Sequence, residues 1–170
     1  VLTVRQVLEH SSNIGMMKLT SKIGRGDFYN YLRRFGFGTR TGIGLPAESS
    51  GMLHHVSTWS DRSLETISIG QEISVTALQL VQAFGAIANG GVLMAPLVIE
   101  QITDADGTVI EQSEPTVLRR VVSKETVAHV RSMLTDVVRT GGGRRAALEG
   151  IQVAGKTGTA QRAGADGSGY

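Results

Sequence analysis

The chain has 170 residues, 41% of them hydrophobic and 19% charged, which is enough for a real hydrophobic core and excludes a disordered tail. Its formal charge of +2 rests on 13 Arg against 4 Lys scattered along the chain, so the basic pI of 9.2 does not mark a nucleic-acid stripe. With no cysteine it has neither disulfides nor thiolate metal sites, and no apolar run approaches the roughly 20 residues of a membrane-spanning helix. The N-terminus VLTVRQVLEH lacks the charged start and apolar middle of a signal peptide. The histidines His10, His54, His55 and His129 stand at no metal-ligand spacing, so no metal is expected.

Thr3 to Glu9 reads as a short helix, capped by Thr3 with Gln6 closing a capping box. The cluster His10-Ser11-Ser12-Asn13 competes for backbone hydrogen bonds and predicts a break. In a second helix Met16, Leu19 and Ile23 form an apolar face, and Gly24 ends it. Asp27 is expected to cap a third helix whose Phe28, Tyr31, Leu32 and Phe35 point to the core. From Gly36 to Ser63 the chain turns irregular, with five glycines, Pro46 and the single Trp59, and a long connection of this kind is expected to line a site.

Ser68-Ile69-Gly70-Gln71 precedes a helix from Thr76 to Ala88, with a second capping box from Thr76 and Gln79 and a predicted buried stripe of Ala77, Leu80, Val81, Phe84, Ile87 and Ala88. A strand pattern from Leu93 to Ile102 turns at Asp104-Ala105-Asp106-Gly107 into Thr108 to Glu111, a peripheral hairpin. Val117 to Val122 is extended. Ser123 starts a helix to about Arg139, stopped by Gly141-Gly142-Gly143, which reads as a helix terminus and flexible hinge. Ile151 to Gln161 reads as an edge strand, followed by a turn signal at Gly164 to Gly167 with no returning strand in these residues. The sheet is therefore expected to be incomplete here and the chain to be a piece of a larger domain.

Chemistry concentrates in two places. In Lys156-Thr157-Gly158-Thr159 a lysine supplies fixed charge, threonines supply donors for a carboxylate, and Gly158 clears space for a ligand beside the backbone. Far upstream, Ser11 and Asn13, two residues apart, are expected to offer a hydroxyl and an amide to one cleft while Ser12 faces away. Ser11-Ser12-Asn13 taken alone reads more simply as a helix cap. Strict alternation in the downstream strand would put Lys156 and Gly158 on one face and the threonines on the other.

Together, in this order, the two motifs resemble those of the transpeptidase domain of penicillin-binding proteins. The resemblance runs over nearly the whole chain, through LEHSSNIGMMKL, RRFGFGTRTGIGLPAESSG, SIGQEISVTALQLVQAFGAIANGG and GKTGTAQ, and is greatest to the class B, division-type enzymes. It implies an α+β fold with helices packed on an antiparallel sheet, residues 1–170 being a partial transpeptidase domain. It implies a serine-type D,D-transpeptidase that cross-links peptidoglycan stem peptides and is acylated by β-lactams, without cofactor or metal. Ser11, Asn13 and Lys156 would be catalytic: Ser11 as proton relay, Asn13 holding the catalytic lysine and a substrate amide, Lys156 keeping the site positive and polarising the Ser11 hydroxyl. Thr157, Gly158 and Thr159 would bind the D-alanyl-D-alanine terminus or a β-lactam, with the Thr159 backbone N–H donating to the oxyanion.

The family's nucleophile is the serine of an S-x-x-K motif, and no serine or threonine stands three residues before Lys18, Lys22, Lys124 or Lys156. The chain alone is therefore expected to be inactive. Other readings are a β-lactam-sensing module, a β-lactamase-like hydrolase using Glu48, Glu65, Asp61 or Glu72 as base, and a purely structural piece. The resemblance further implies a bacterial inner-membrane anchor carried by preceding sequence, an extracytoplasmic catalytic domain, and other cell-wall or division proteins as partners, with no nucleic acid.

Overall fold

A computed structural model describes residues 1–158. Helix α1 (Val4–Glu9) carries the expected capping box, the Thr3 side chain accepting from Gln6 N–H and the Gln6 side chain accepting from Thr3 N–H. α2 (Asn13–Thr20) starts at Ser12, whose hydroxyl accepts from Gly15 N–H at 3.1 Å, and ends at Thr20, before the expected stop at Gly24. Gly24, at φ 89°, instead opens α3 (Arg25–Arg34), so Asp27 lies inside the first turn and is not the cap. Both corrections have one cause: a left-handed glycine can end one helix or start the next, and composition does not say which.

The connection from residue 36 to residue 62 has no regular element beyond a turn of 3-10 helix at Val56–Thr58, as expected. It does not line the site. Trp59 is buried with Leu64 and Ile67, against Phe28, Tyr29 and Leu32 of α3, its ring edge-on to Phe28 and Tyr29 and its indole N–H donating to His54 O at 3.0 Å. Tyr29 rather than Tyr31 is the inward aromatic; Tyr31 is exposed under the Arg34 guanidinium. A helix not anticipated, α4 (Ser63–Ser68), follows the tryptophan and packs on α2.

Helix α5 (Ala77–Ala88) has the expected Thr76–Gln79 box but buries a different face. Gln79, Ala83 and Ala86 are inside, while Leu80, Val81 and Phe84 are 43%, 68% and 44% exposed. The helix is apolar nearly all round, so periodicity does not choose a face. Two facts of packing do: Ala83 and Ala86 are small enough for close approach to β1, and the Gln79 amide donates to Thr39 O and Ser50 O, both at 2.8 Å, sewing the long connection to the helix.

The expected long strand divides. β1 (Val92–Met94) pairs antiparallel with β4 (Val117–Arg120), and β2 (Gln101–Thr103) with β3 (Val109–Gln112), so the sheet is two short pairs. The β2–β3 turn is where the sequence placed it, with the Asp104 carboxylate accepting from Asp106 and Thr108 N–H. α6 (Lys124–Arg139), capped by Ser123, buries Val127, Leu134, Val137 and Val138 and packs on α1 and α5. The glycine run after it is no hinge: a Cβ on Gly141 would stand 2.5 Å from Glu9 O, so this segment is pressed against the end of α1.

Gln79→Ala should leave two carbonyls of the long connection and the Thr76 N–H without partners in a buried site. A loss of about 3 kcal/mol is expected, read as a lower urea midpoint with the slope unchanged.

Candidate active site

Two breaks in regular structure meet at the site. Between α1 and α2 the chain reverses over Ser11, which adopts φ 50°, a left-handed conformation uncommon outside glycine and asparagine. Its N–H donates to Leu8 O at 3.2 Å and that of Ser12 to Val7 O at 3.0 Å, so the backbone is held while the Ser11 hydroxyl stays free of the cap. The cap is Ser12. Both readings of Ser11-Ser12-Asn13 are thus realised, on adjacent residues. The reversal needs α2 close to α1: a Cβ on Gly15 would stand 2.6 Å from a Val7 methyl carbon.

The second break is the segment 152–158, extended but, among the described residues, unpaired as a strand beyond an isolated bridge between Leu148 and Ile151. This corrects the expected edge strand. Its tie to the body is Gly155 N–H donating to Leu134 O of α6 at 3.2 Å. Without a ladder to impose alternation, Lys156, Thr157 and Gly158 all face one cleft, contrary to the two-faced arrangement expected.

Across that cleft the Lys156 ammonium donates to the Ser11 hydroxyl in a short hydrogen bond, to Thr157 O at 2.9 Å and to Thr157 Oγ1 at 3.4 Å. The Ser11 and Thr157 hydroxyl oxygens are 3.3 Å apart. Ser11, Asn13, Lys156, Thr157 and Gly158 line one pocket of about 380 Å³, so five of the six sequence-predicted site residues come together. Thr159 and Gln161 lie outside the described residues. Ser12 also lines the pocket, against expectation, because Asn13 already begins a helix and the zigzag of an extended chain does not apply.

The site residues that sequence reasoning missed are Val7, Met16, Ser68 and Ile69. The S-I-G-Q segment was a signal for the last two. They end α4 and are fixed by Glu72, itself at φ 57°, whose carboxylate accepts from Thr66 Oγ1 at 2.6 Å and Ser63 Oγ at 2.7 Å. These bonds hold its carboxyl below the ordinary range. Glu72 thereby acts as a strut, and none of Glu48, Asp61, Glu65 and Glu72 lines the pocket. Glu48 is engaged elsewhere, accepting from Thr41 N–H and Oγ1.

Lys156 forms no ion pair among the described residues, and partial burial pushes its pKa below the ordinary 10.5. An ammonium with no ion pair among the described residues, beside the Ser11 and Thr157 hydroxyls and in one pocket with Asn13, can receive a carboxylate. At about 4 Å and an effective dielectric near 20, one such charge pair is worth roughly 4 kcal/mol before desolvation. The proximity of Lys156 to Ser11 also allows proton movement between amine and hydroxyl.

Comparison with known proteins gives the family and the fold. The family model described as penicillin binding protein transpeptidase domain matches residues 1–170. The chain is 43% identical over 167 residues to penicillin-binding protein PbpB of Mycolicibacterium smegmatis, covering 94% of this chain and 26% of that protein. It is 35% identical over 167 residues to peptidoglycan D,D-transpeptidase FtsI of Escherichia coli, covering 98% and 26%. The structure superposes on penicillin binding protein 3 of Mycobacterium tuberculosis in complex with ampicillin with a TM-score of 0.88 at 40% identity, covering 96% of this chain and 38% of that one. The chain thus spans about a quarter of the length of the curated relatives it matches.

Because the folded amine releases its proton below the pH at which the unfolded one does, the unfolded state binds more protons across that window. Stability should therefore rise with pH there, and the charged amine should reduce stability below it. NMR titration of 13C-labelled lysine should give Lys156 a midpoint below 10.5, and a midpoint at or above that value would show that burial does not penalise the charged amine. The paired motifs, the α+β architecture and the family match lead to one assignment: this chain belongs to the penicillin-binding protein transpeptidase domain family.

Proposed function

We propose that residues 1–170 form two walls of the active site of a serine-type D,D-transpeptidase that cross-links peptidoglycan stem peptides and is acylated by β-lactams. The observation that carries this reading is the hydrogen bond from the Lys156 ammonium to the Ser11 hydroxyl, made between residues 145 apart in sequence. In the proposed reaction an activated serine outside these residues attacks the carbonyl of the penultimate D-alanine. Ser11 passes the proton toward the leaving amine, and Lys156 stabilises the Ser11 oxygen as the proton moves. Asn13 holds the substrate amide from the opposite wall. Thr157, with Thr159 beyond the described residues, holds the terminal carboxylate, and the Thr159 N–H donates to the oxyanion.

The relative's complex with ampicillin supports β-lactams as ligands. Hydrolysis is less well supported, since a deacylating base would have to reach the cleft and no carboxylate lines it among the described residues. Among the described residues no helix is long and apolar enough to cross a membrane. An extracytoplasmic site attached to the inner membrane is part of the proposal and rests on the family.

Mass spectrometry after incubation with penicillin should find no adduct on residues 1–170 and one adduct on the full-length protein that carries them. In the full-length protein Lys156→Ala should slow acylation by about 100-fold or more, the scale of losing one preorganised charge-stabilising donor. A stable adduct on residues 1–170 alone, or unchanged acylation in the variant, would contradict the assignment.

A further inference from the structure

Away from the cleft, the C-terminal end of α3 meets β4 in a cluster of guanidinium groups. Arg119 donates from Nε to Arg34 O at 2.8 Å and from Nη2 to Arg33 O at 3.3 Å. Arg33 donates from Nη1 to Gly38 O at 2.8 Å and Phe37 O at 3.4 Å. Arg34 donates to Arg120 O at 3.4 Å, with its guanidinium carbon 5.1 Å from the centre of the Tyr31 ring. Arg120 in turn donates to Gly90 O at 2.7 Å and Val122 O at 3.3 Å.

Every acceptor in this set is a neutral carbonyl. The salt bridges among the described residues join Arg5 and Arg139 to Asp136 and Arg25 to Asp61, and none reaches these four arginines. A guanidinium has five N–H donors and keeps its charge at any ordinary pH. The carbonyls therefore fix the orientation of each fork while leaving donors unused and the charge unbalanced. Two of the carbonyls belong to the last turn of α3, whose dipole is equivalent to about half a negative charge, which accounts for Arg119 and falls short of four cations. Arg33, Arg34 and Arg119, with the Asn30 amide and the Thr39 hydroxyl, line a shallow cleft of about 480 Å³ that no carboxylate of the described residues enters.

We propose that this cleft binds a phosphate-type oxyanion. Three cations on one cleft call for a compact anion carrying more than one charge and several acceptor oxygens, and a lone carboxylate would leave two of them uncompensated. The Arg33 and Arg119 forks are already held on backbone, so little of their side-chain freedom remains to be lost on binding. The same chemistry is offered by soluble pyrophosphate and by the headgroup of an anionic phospholipid. The site is largely solvent-facing, so binding weakens as salt rises.

The test is titration calorimetry of the full-length protein with inorganic pyrophosphate, beside co-sedimentation with vesicles of phosphatidylglycerol mixed into phosphatidylcholine and of phosphatidylcholine alone. The decisive variant is Arg34→Gln, because Arg34 makes one long carbonyl bond and a ring contact and its loss leaves the α3 terminus capped by Arg119. Arg25→Gln is the charge-matched control, and the melting temperature of both is recorded. Binding of pyrophosphate, or of phosphatidylglycerol vesicles but not pure phosphatidylcholine, should fall about tenfold in Arg34→Gln and stay unchanged in Arg25→Gln. Pyrophosphate binding without vesicle binding identifies a soluble ligand, and vesicle binding identifies a headgroup. Saturable binding to neither, or binding that Arg34→Gln leaves within about twofold, overturns the proposal.

Discussion

The site depends on the docking of α1 against α6. Arg5 pairs with Asp136 in a short contact that Arg139 joins at 2.6 Å, Thr140 donates to the Glu9 carboxylate, and Gly142 N–H donates to Glu9 O at 3.3 Å. Asp136 is only 13% exposed, so this is a partly sheltered network rather than a surface pair of small worth. Its consequence is positional. α1 delivers Ser11 at its C-terminal end, α6 holds the downstream segment through Leu134 O, and the two ends of the chain meet because the helices that carry them are clamped.

Around that clamp the sequence features with no obvious chemistry acquire reasons. Gly15 allows α2 to fold back tightly on α1, and Gly141 allows α6 to end under Glu9. Ser12 takes the capping duty, which frees its neighbour for the cleft. Ser11 is held in an unfavourable backbone conformation by bonds from its own and the next N–H, the kind of strain that persists where surrounding structure over-determines it. The third wall, Ser68 and Ile69, is set by a carboxylate strut from Glu72.

The elements with explicit end signals were legible: the capping boxes at Thr3 and Thr76, the Ser123 cap, the Asp104 turn, and the break at Ser11. So was the meeting of Ser11, Asn13, Lys156, Thr157 and Gly158 in one cleft, which the two motifs implied only when read together as a family resemblance. What the sequence did not settle were choices between equivalent options. Gly24 could close α2 or open α3; α5, apolar nearly all round, could bury either face; and residues 152–158, patterned as a strand, show no ladder that would enforce alternation. Helix α4 was not anticipated because six residues rich in Ser and Thr are too few to establish an apolar period; the bonds from Ser63 and Thr66 to Glu72 and from Ser68 to Glu65 O satisfy its polar side chains.

The central claim, that Ser11 and the K-T-G segment share one cleft, has a direct chemical test because the chain contains no cysteine. In the double variant Ser11→Cys with Thr157→Cys, whose native oxygens are 3.3 Å apart, mild oxidation should consume both free thiols as one intramolecular disulfide. Two thiols that stay free in folded protein under the same oxidant would show that the segments do not meet.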